Sequence, residues 1–239
     1  MDELPELTEI EEWCEMTPED ERKYENIILS PKSSFMTARR VSWCNDDYME
    51  TSSKVTRLRQ IADAAHEDGR KMLVFSFFLD TLNKVERIFG PLCVGQLNGS
   101  VTPTRRQEII DRFNSAPPGS VLAAQIQSGG TGLNIQAASV VVICEPQYKP
   151  STENQAIARA HRMGQKRNVF VHRLLCVDSI DERIMEILRE KQFEFDTFAD
   201  GSVSAEAEEG FDPKIIERIM KEELRRIKEK RAAAKAVPR

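Results

Sequence analysis

KMLVFSFFLDTLNKVERIFGPLCVGQLNGSVTPTRRQEIIDRFNSAPPGSVLAAQI, Lys71 to Ile126, sets short apolar runs against longer stretches of helical spacing. The runs Lys71–Phe78, Cys93–Leu97 and Ser120–Ile126 are too short for ordinary helices. They are nearly continuous rather than alternating, the pattern of strands buried on both faces. Leu79–Phe89 and Pro103–Asn114 carry apolar residues at helical spacing, and Thr102 with Pro103 supplies an N-cap and a first-turn proline. The alternation continues outward through strands at Ser139–Glu145 and Asn168–Val177 and helices at about Ser151–Met163 and Ile180–Phe195. Upstream, Thr17–Leu29 and Ser53–His66 read as helices, the first capped by Thr17 and Pro18 with Glu19, Asp20 and Glu21 at its positive end. The expected class is α/β, a parallel sheet with helices on both faces and helical N- and C-terminal extensions.

Within this frame QAIARAHRMGQ, Gln155 to Gln165, carries the densest chemistry. On a helix, Arg159 and Arg162 share one face, and two guanidinium forks can clamp one polyphosphate. Such a group aimed at a transferring phosphoryl stabilises charge that grows in the transition state, an effect of roughly 10³–10⁵ in rate. Gln155 lies one turn before Arg159, Gly164 reads as a glycine C-cap, and His161 reads as a packing or orienting residue. The pattern of Gln, Arg a turn later, a second Arg three residues on, any residue, then Gly-Gln resembles the last helicase motif of the SWI/SNF-type DNA translocases of helicase superfamily two.

Three more segments extend the resemblance. QSGGTGLN, Gln127 to Asn134, follows a strand and has three glycines in four residues, so its backbone can approach a phosphate closely. It is similar to the family's Gly-Gly-x-Gly-x-Asn loop, one strand ahead of the arginine motif. The resemblance implies that Gly129, Gly130 and Thr131 lie near the nucleic-acid backbone and that Gly132 and Asn134 face the nucleotide. The family's Ser-Thr-Lys-Ala before the glycines is replaced by AAQIQS, which leaves Gln125, Gln127 and Ser128 as three candidates for a phosphate contact. LNGSVTPTRRQEIIDRFN, Leu97 to Asn114, resembles the segment after the second strand of the same lobe, with Asn98, Gly99 and Ser100 as backbone-binding candidates. MLVFSFF resembles the first motif of that lobe, which places Ser76 and Phe78 at a strand's carboxyl end, where open parallel sheets bind ligands.

The resemblance covers about Glu12 to Gly201 and implies a RecA-like second helicase lobe. No Gly-Lys pair occurs, so a Walker A loop is missing, and no strand ends in an acidic pair suited to Mg²⁺; Asp181-Glu182 opens a helix instead. The implied arrangement has ATP and Mg²⁺ held mainly by an N-terminal RecA-like lobe, with Arg159, Arg162, Gln155, Gly132 and Asn134 facing that nucleotide. Double-stranded DNA is the implied partner, gripped through Ser76, Phe78, Asn98, Gly99, Ser100, Ser128, Gly129, Gly130 and Thr131. The chain alone is expected to be a monomer without ATPase activity. Competing readings are the C-terminal lobe of a DEAD-box RNA helicase, whose arginine motif usually ends Gly-Arg, and a RecA-like module without catalysis.

Residues 1–52 read as an acidic helical inter-lobe segment, 53–200 as the lobe with its bracing helix, 201–211 as a linker and 212–239 as a basic amphipathic helix. In the last, Ile216, Ile219, Met220, Leu224 and Ile227 form the apolar stripe. FMTARRVSW, Phe35 to Trp43, mixes arginines with aromatics, a pattern of helix packing more often than of a nucleic-acid surface. A net charge of −5 argues against indiscriminate nucleic-acid binding, but it averages an acidic Met1–Glu25 with basic stretches at Arg159–Arg173 and Lys214–Arg239. The five cysteines form no CxxC pair, so neither a zinc site nor a disulfide framework is expected. No apolar run is long enough for a membrane span, and a soluble intracellular protein is expected.

Overall fold

In a computed structural model of the chain, residues 4–43, 49–127, 133–198 and 212–236 are described. They include strands β1 (Leu7–Cys14), β2 (Met72–Ser76), β3 (Cys93–Leu97), β4 (Val121–Gln125), β5 (Val140–Ile143) and β6 (Val169–Cys176). The helices are α1 (Pro18–Leu29), α2 (Phe35–Ala38), α3 (Ser53–Glu67), α4 (Leu79–Phe89), α5 (Pro103–Ser115), α6 (Pro150–Ile157), α7 (Ile180–Phe198) and α8 (Pro213–Ala236). Two compact units emerge: residues 1–13 with 56–175, and residues 14–55 with 176–239. The expected linker, 201–211, lies outside the described residues.

The first unit holds the sheet, ordered β1-β6-β5-β2-β4-β3. Central β2 pairs in parallel with β4 (Phe75 opposite Ala124) and with β5 (Phe75 opposite Ile143). Every residue of β2 and β5 is buried, as their unbroken apolar runs require. One face is covered by α5 and α6, whose Ile109, Ile110, Phe113, Ala156 and Ile157 pack against Leu73, Phe75, Leu122, Val141 and Val171. Thr102 Oγ1 caps α5 by accepting the Arg105 N–H at 3.3 Å.

β1 departs from the expected helical N-terminal extension, because Leu7–Cys14 is an edge strand. Val169 and Val177 donate N–H groups to the carbonyls of Glu6 and Cys14, equal steps along both chains, so β1 runs parallel to β6. Two of its acids, Glu9 and Glu12, are spent on that placement. Glu12 accepts both the Arg57 fork, at 2.8 and 3.0 Å, and His172 Nδ1, at 2.7 Å. Glu9 accepts from Arg173 at 3.2 Å. Trp13, also on β1, is 37 % exposed.

In the second unit Thr17 caps α1 as expected, accepting the Asp20 N–H at 3.2 Å. Asp20 is itself buried and accepts Ser42 Oγ, Ser52 Oγ and the Ser53 N–H at 2.7–2.8 Å. Phe35, Arg39 and Trp43 are all 5 % exposed or less, so both aromatics and the first arginine of this segment are packed interior, while Met36 is exposed. α8 packs on α1 with Ile219 and Ile227 buried, while Ile216, Met220 and Leu224 are half-buried. Buried Glu223 accepts the Tyr24 hydroxyl at 2.8 Å, and that hydroxyl accepts the Ile180 N–H at 2.9 Å. Asp181 forms a fully buried ion pair with Lys54 at 2.7 Å, a structural use of the acid in its Asp-Glu pair.

Candidate functional site

Because the strands are parallel, the carboxyl ends of β2, β3, β4 and β5 open on one edge of the sheet, and buried side chains fix that edge. Glu145, just past β5 and fully buried, accepts Ser76 Oγ at 2.9 and 3.1 Å and the Phe77 N–H at 2.6 Å. Gln147 Nε2 donates to the same carboxylate at 3.2 Å, and the Gln147 N–H bonds to Glu153 of α6 at 3.0 Å. Arg173 holds Glu153 from β6, with Nε at 2.8 Å. On the other side of β2, Gln125 donates to the Phe77 carbonyl at 3.3 Å and accepts the Gly99 N–H at 3.4 Å. Residues from four strand ends are thereby set with respect to one another before any ligand arrives.

The arginine segment differs from a continued helix. α6 ends at Ile157, six residues short of the expected Met163, and the chain turns back through Ala158–Gly164. The Arg159 and Ala160 N–H groups bond three residues back instead of four, and the Ile135 N–H takes the Arg159 carbonyl at 3.0 Å. Gly164, expected as a helix cap, lies in this later turn with φ +95°, a region that favours glycine. A Cβ there would also stand 3.1 Å from Gln136 Nε2.

Gln165 holds the turn in place. Its buried amide donates to the carbonyls of Gln136, Ala138 and Ala160 at 3.0–3.1 Å and accepts the N–H groups of Lys166 and Arg167 at 2.9 and 3.0 Å. His161 Nε2 bonds to the Pro5 carbonyl at 2.7 Å, an orienting contact.

Arg159 is half-buried, with its guanidinium carbon 5.6 Å from the centre of the Phe75 ring. Burial, then the nearby charge of Arg106, depress its pKa from the ordinary guanidinium range. Among the described residues no carboxylate pairs with it, and Arg162 is exposed and likewise without an acidic partner. Arg106 donates to the carbonyls of Asn98 and Val101 at 3.3 Å, while its own Nε is buried without a hydrogen-bond partner. Among the described residues neither Arg159 nor Arg106 has an acidic partner, a setting whose charge a phosphate would relieve.

The other sequence candidates separate by environment. Ser76 is fully buried with its hydroxyl committed to Glu145, whereas Phe78 is half-buried at the N-cap of α4. Asn98 Oδ1 accepts the Ser100 N–H and hydroxyl at 2.9 and 2.6 Å, folding a tight turn around exposed Gly99. A Cβ at Gly99 would meet nothing within 4 Å, so this backbone is open to a ligand. Gln125 is taken up by its bridge, and Gln127 is exposed. Ser128, Gly129, Gly130, Thr131 and Gly132 lie outside the described residues. Asn134 is exposed and, with Gln107, Ile110, Asn114 and Gln136, lines a pocket of about 400 Å³. Gln155 is exposed on α6. Sequence reasoning passes over Glu145, Arg106 and the anchoring role of Gln165; only Glu145, an acid ending an apolar run, carries a visible signal.

Residues 53–164 match the helicase conserved C-terminal domain. ATP-dependent helicase fft2 of Schizosaccharomyces pombe is 33% identical over 160 residues, 66% of this chain and 12% of that protein. Protein CHROMATIN REMODELING 4 of Arabidopsis thaliana is 31% identical over 155 residues, 63% of this chain and 7% of that protein. The crystal structure of the C-terminal part of the Fun30 ATPase domain superposes with a TM-score of 0.76 at 18% identity, covering 94% of this chain and all of that one. The Sulfolobus solfataricus SWI2/SNF2 ATPase core in complex with dsDNA gives 0.67 at 24% identity, covering 84% of this chain and 47% of that one.

The chain is similar to the C-terminal part of the SWI/SNF-type helicases. Its RecA-like fold is that of the family's C-terminal lobe. The chain aligns with 7% and 12% of the length of the two curated relatives. Among its described residues no helix is long and apolar enough to cross a membrane.

Proposed function

We propose that the chain is the second motor lobe of an ATP-dependent double-stranded DNA translocase. The observation that carries this reading is Arg159, half-buried over Phe75 beside Arg106, with no carboxylate among the described residues to neutralise it. An isolated cation in that setting suits a phosphate delivered from outside the lobe. When bound with Mg²⁺, ATP would supply the bond that is broken; Arg159 and Arg162 would hold charge on its terminal phosphate, and Gln155, Gly132 and Asn134 would face the nucleotide. Mg²⁺ is assigned to an N-terminal lobe, in keeping with the resemblance to the family's second lobe.

DNA is gripped at the open strand ends through the Asn98–Ser100 turn and Phe78, and also through Ser128, Gly129, Gly130 and Thr131. Ser76 serves by holding Glu145 and the Phe77 backbone in place. Backbone contacts carry no sequence information, so tracking is sequence-independent and salt-sensitive. Closure of the two lobes on ATP and release after hydrolysis move one grip relative to the other. In this organisation residues 1–52 link the lobes, 53–200 form the lobe, 201–211 are a linker before the helix of 212–239, and the isolated chain is a monomer.

An RNA-helicase lobe ending its motif in Gly-Arg is disfavoured by Gln165. The amide oxygen there accepts two backbone N–H groups, and a guanidinium has no acceptor to offer them. With a first lobe attached, Arg162→Ala is expected to reduce DNA-stimulated ATP hydrolysis by roughly 10³-fold or more while nucleotide binding survives. Hydrolysis at the parental rate would remove the finger assignment. Loss of nucleotide binding as well would mean that Arg162 holds ATP in the ground state.

A further inference from the structure

α8 has two faces of opposite employment. Its inner face carries buried Ile219, Glu223 and Ile227, and the cations beside it are paired: Arg226 with Glu223, Lys230 with Glu21, and Arg231 with Glu25 at 2.7 Å. The opposite face carries Lys214, Arg218, Lys221, Arg225, Lys228 and Lys235, all exposed. At about 100° per residue these six fall in one sector of the helix, centred opposite the buried residues, and span about 31 Å. Lys221 and Arg225 pair only within the helix, with Glu217 and Glu229. Lys214, Arg218, Lys228 and Lys235 have no ion pair among the described residues. α8 holds nine basic and four acidic side chains, net +5, within a chain of net −5.

We propose that this outer stripe is a contact for the phosphate backbone of duplex DNA, a second grip in addition to the strand-end turns. The inference rests on duplex DNA being the motor's partner. Charge complementarity supports it: Glu21 and Glu25 of α1 and Glu223 of α8 already neutralise the inward cations, so the outward row is what remains to meet an anion. The row is straight and regular because it rides on a helix anchored by apolar side chains and the Tyr24–Glu223 bond. The intrahelical pairs of Lys221 and Arg225 are worth a few tenths of a kcal/mol each and exchange readily for phosphates.

The test uses this chain and a fluorescent DNA duplex of arbitrary sequence, with anisotropy titrations between about 50 and 200 mM salt. The triple variant Arg218→Gln, Lys228→Gln, Lys235→Gln alters only exposed side chains, and circular dichroism with thermal melting checks that its fold is kept. The expected result is affinity lower by about tenfold or more at the low-salt end, with the slope of log K against log salt shallower by about 0.9 for each phosphate no longer neutralised. A variant that binds with parental affinity and slope overturns the stripe and leaves the motor reading standing. Failure of both proteins to bind duplex DNA overturns both. If polyglutamate binds the parent and not the variant while the duplex binds the two equally, the stripe is an acidic-protein surface and the proposal is wrong.

Discussion

Gln165 shows how one buried side chain can set the place of a turn that carries two candidate site residues. It reaches three carbonyls and two N–H groups from one buried amide, which ties the Arg159–Arg162 turn to the Gln136–Ala138 stretch. Gln165→Ala is expected to cost about 2–3 kcal/mol in urea unfolding of the chain, because buried polar groups lose their partners; an unchanged midpoint would remove it as the anchor. Asp181→Asn is expected to cost about 3–5 kcal/mol by leaving the Lys54 ammonium buried without its counter-charge. Equal stability would mean that the Lys54–Asp181 pair does not hold the second unit together. Single residues are the least legible scale in the sequence. Asp20 looks like one of three acids at a helix start, yet it alone is buried and organises Ser42, Ser52 and Ser53. The Arg159 and Arg162 motif is visible, but the acid-free surroundings that give Arg159 its meaning come from distant Phe75 and Arg106.

At the scale of elements the apolar runs are readable because parallel strands buried on both faces leave little room for polar residues. β1 escapes for the complementary reason. LTEIEEWC is an edge strand whose carboxylates find partners on β6 and α3, so its charge masks its strand character. Helical spacing overextends α6 because Ala-Ile-Ala-Arg-Ala favours helix; the capture of the Arg159 carbonyl by Ile135 and the pull of Gln165 on Ala160 override that preference. Glu12 gives β1 a pH signature. Burial raises its pKa, but the Arg57 and His172 contacts outweigh burial and leave it below the usual carboxylate value of 4.5. A depressed folded pKa gives stability that is present above the unfolded value and lost as pH falls through the folded one. The stability gap between the parent and Glu12→Gln, on the order of 1 kcal/mol near neutrality, should therefore shrink below about pH 4.5. A gap that stays constant to pH 3 or so would show that the Glu12 charge does not hold the strand.

At the scale of the whole molecule, part of the acidic N-terminal and basic C-terminal stretches meet inside the second unit, where Glu21 and Glu25 of α1 face Lys230 and Arg231 of α8. An overall charge of −5 is thus a poor guide to which surfaces suit an anionic partner. The proposed half-site also has a whole-molecule consequence: the purified chain is expected to show no ATP turnover above background, with or without duplex DNA. Sustained turnover would end the division of labour between lobes. The chain has two tryptophans, and each compact unit holds one: Trp13, 37 % exposed on β1, and Trp43, 1 % exposed in the second unit. Their intrinsic fluorescence gives each unit its own optical label. Emission from Trp13 is open to a dissolved quencher such as iodide, while that from Trp43 is shielded until its own unit melts, so a Trp13→Phe protein turns the remaining signal into a gauge of the second unit alone.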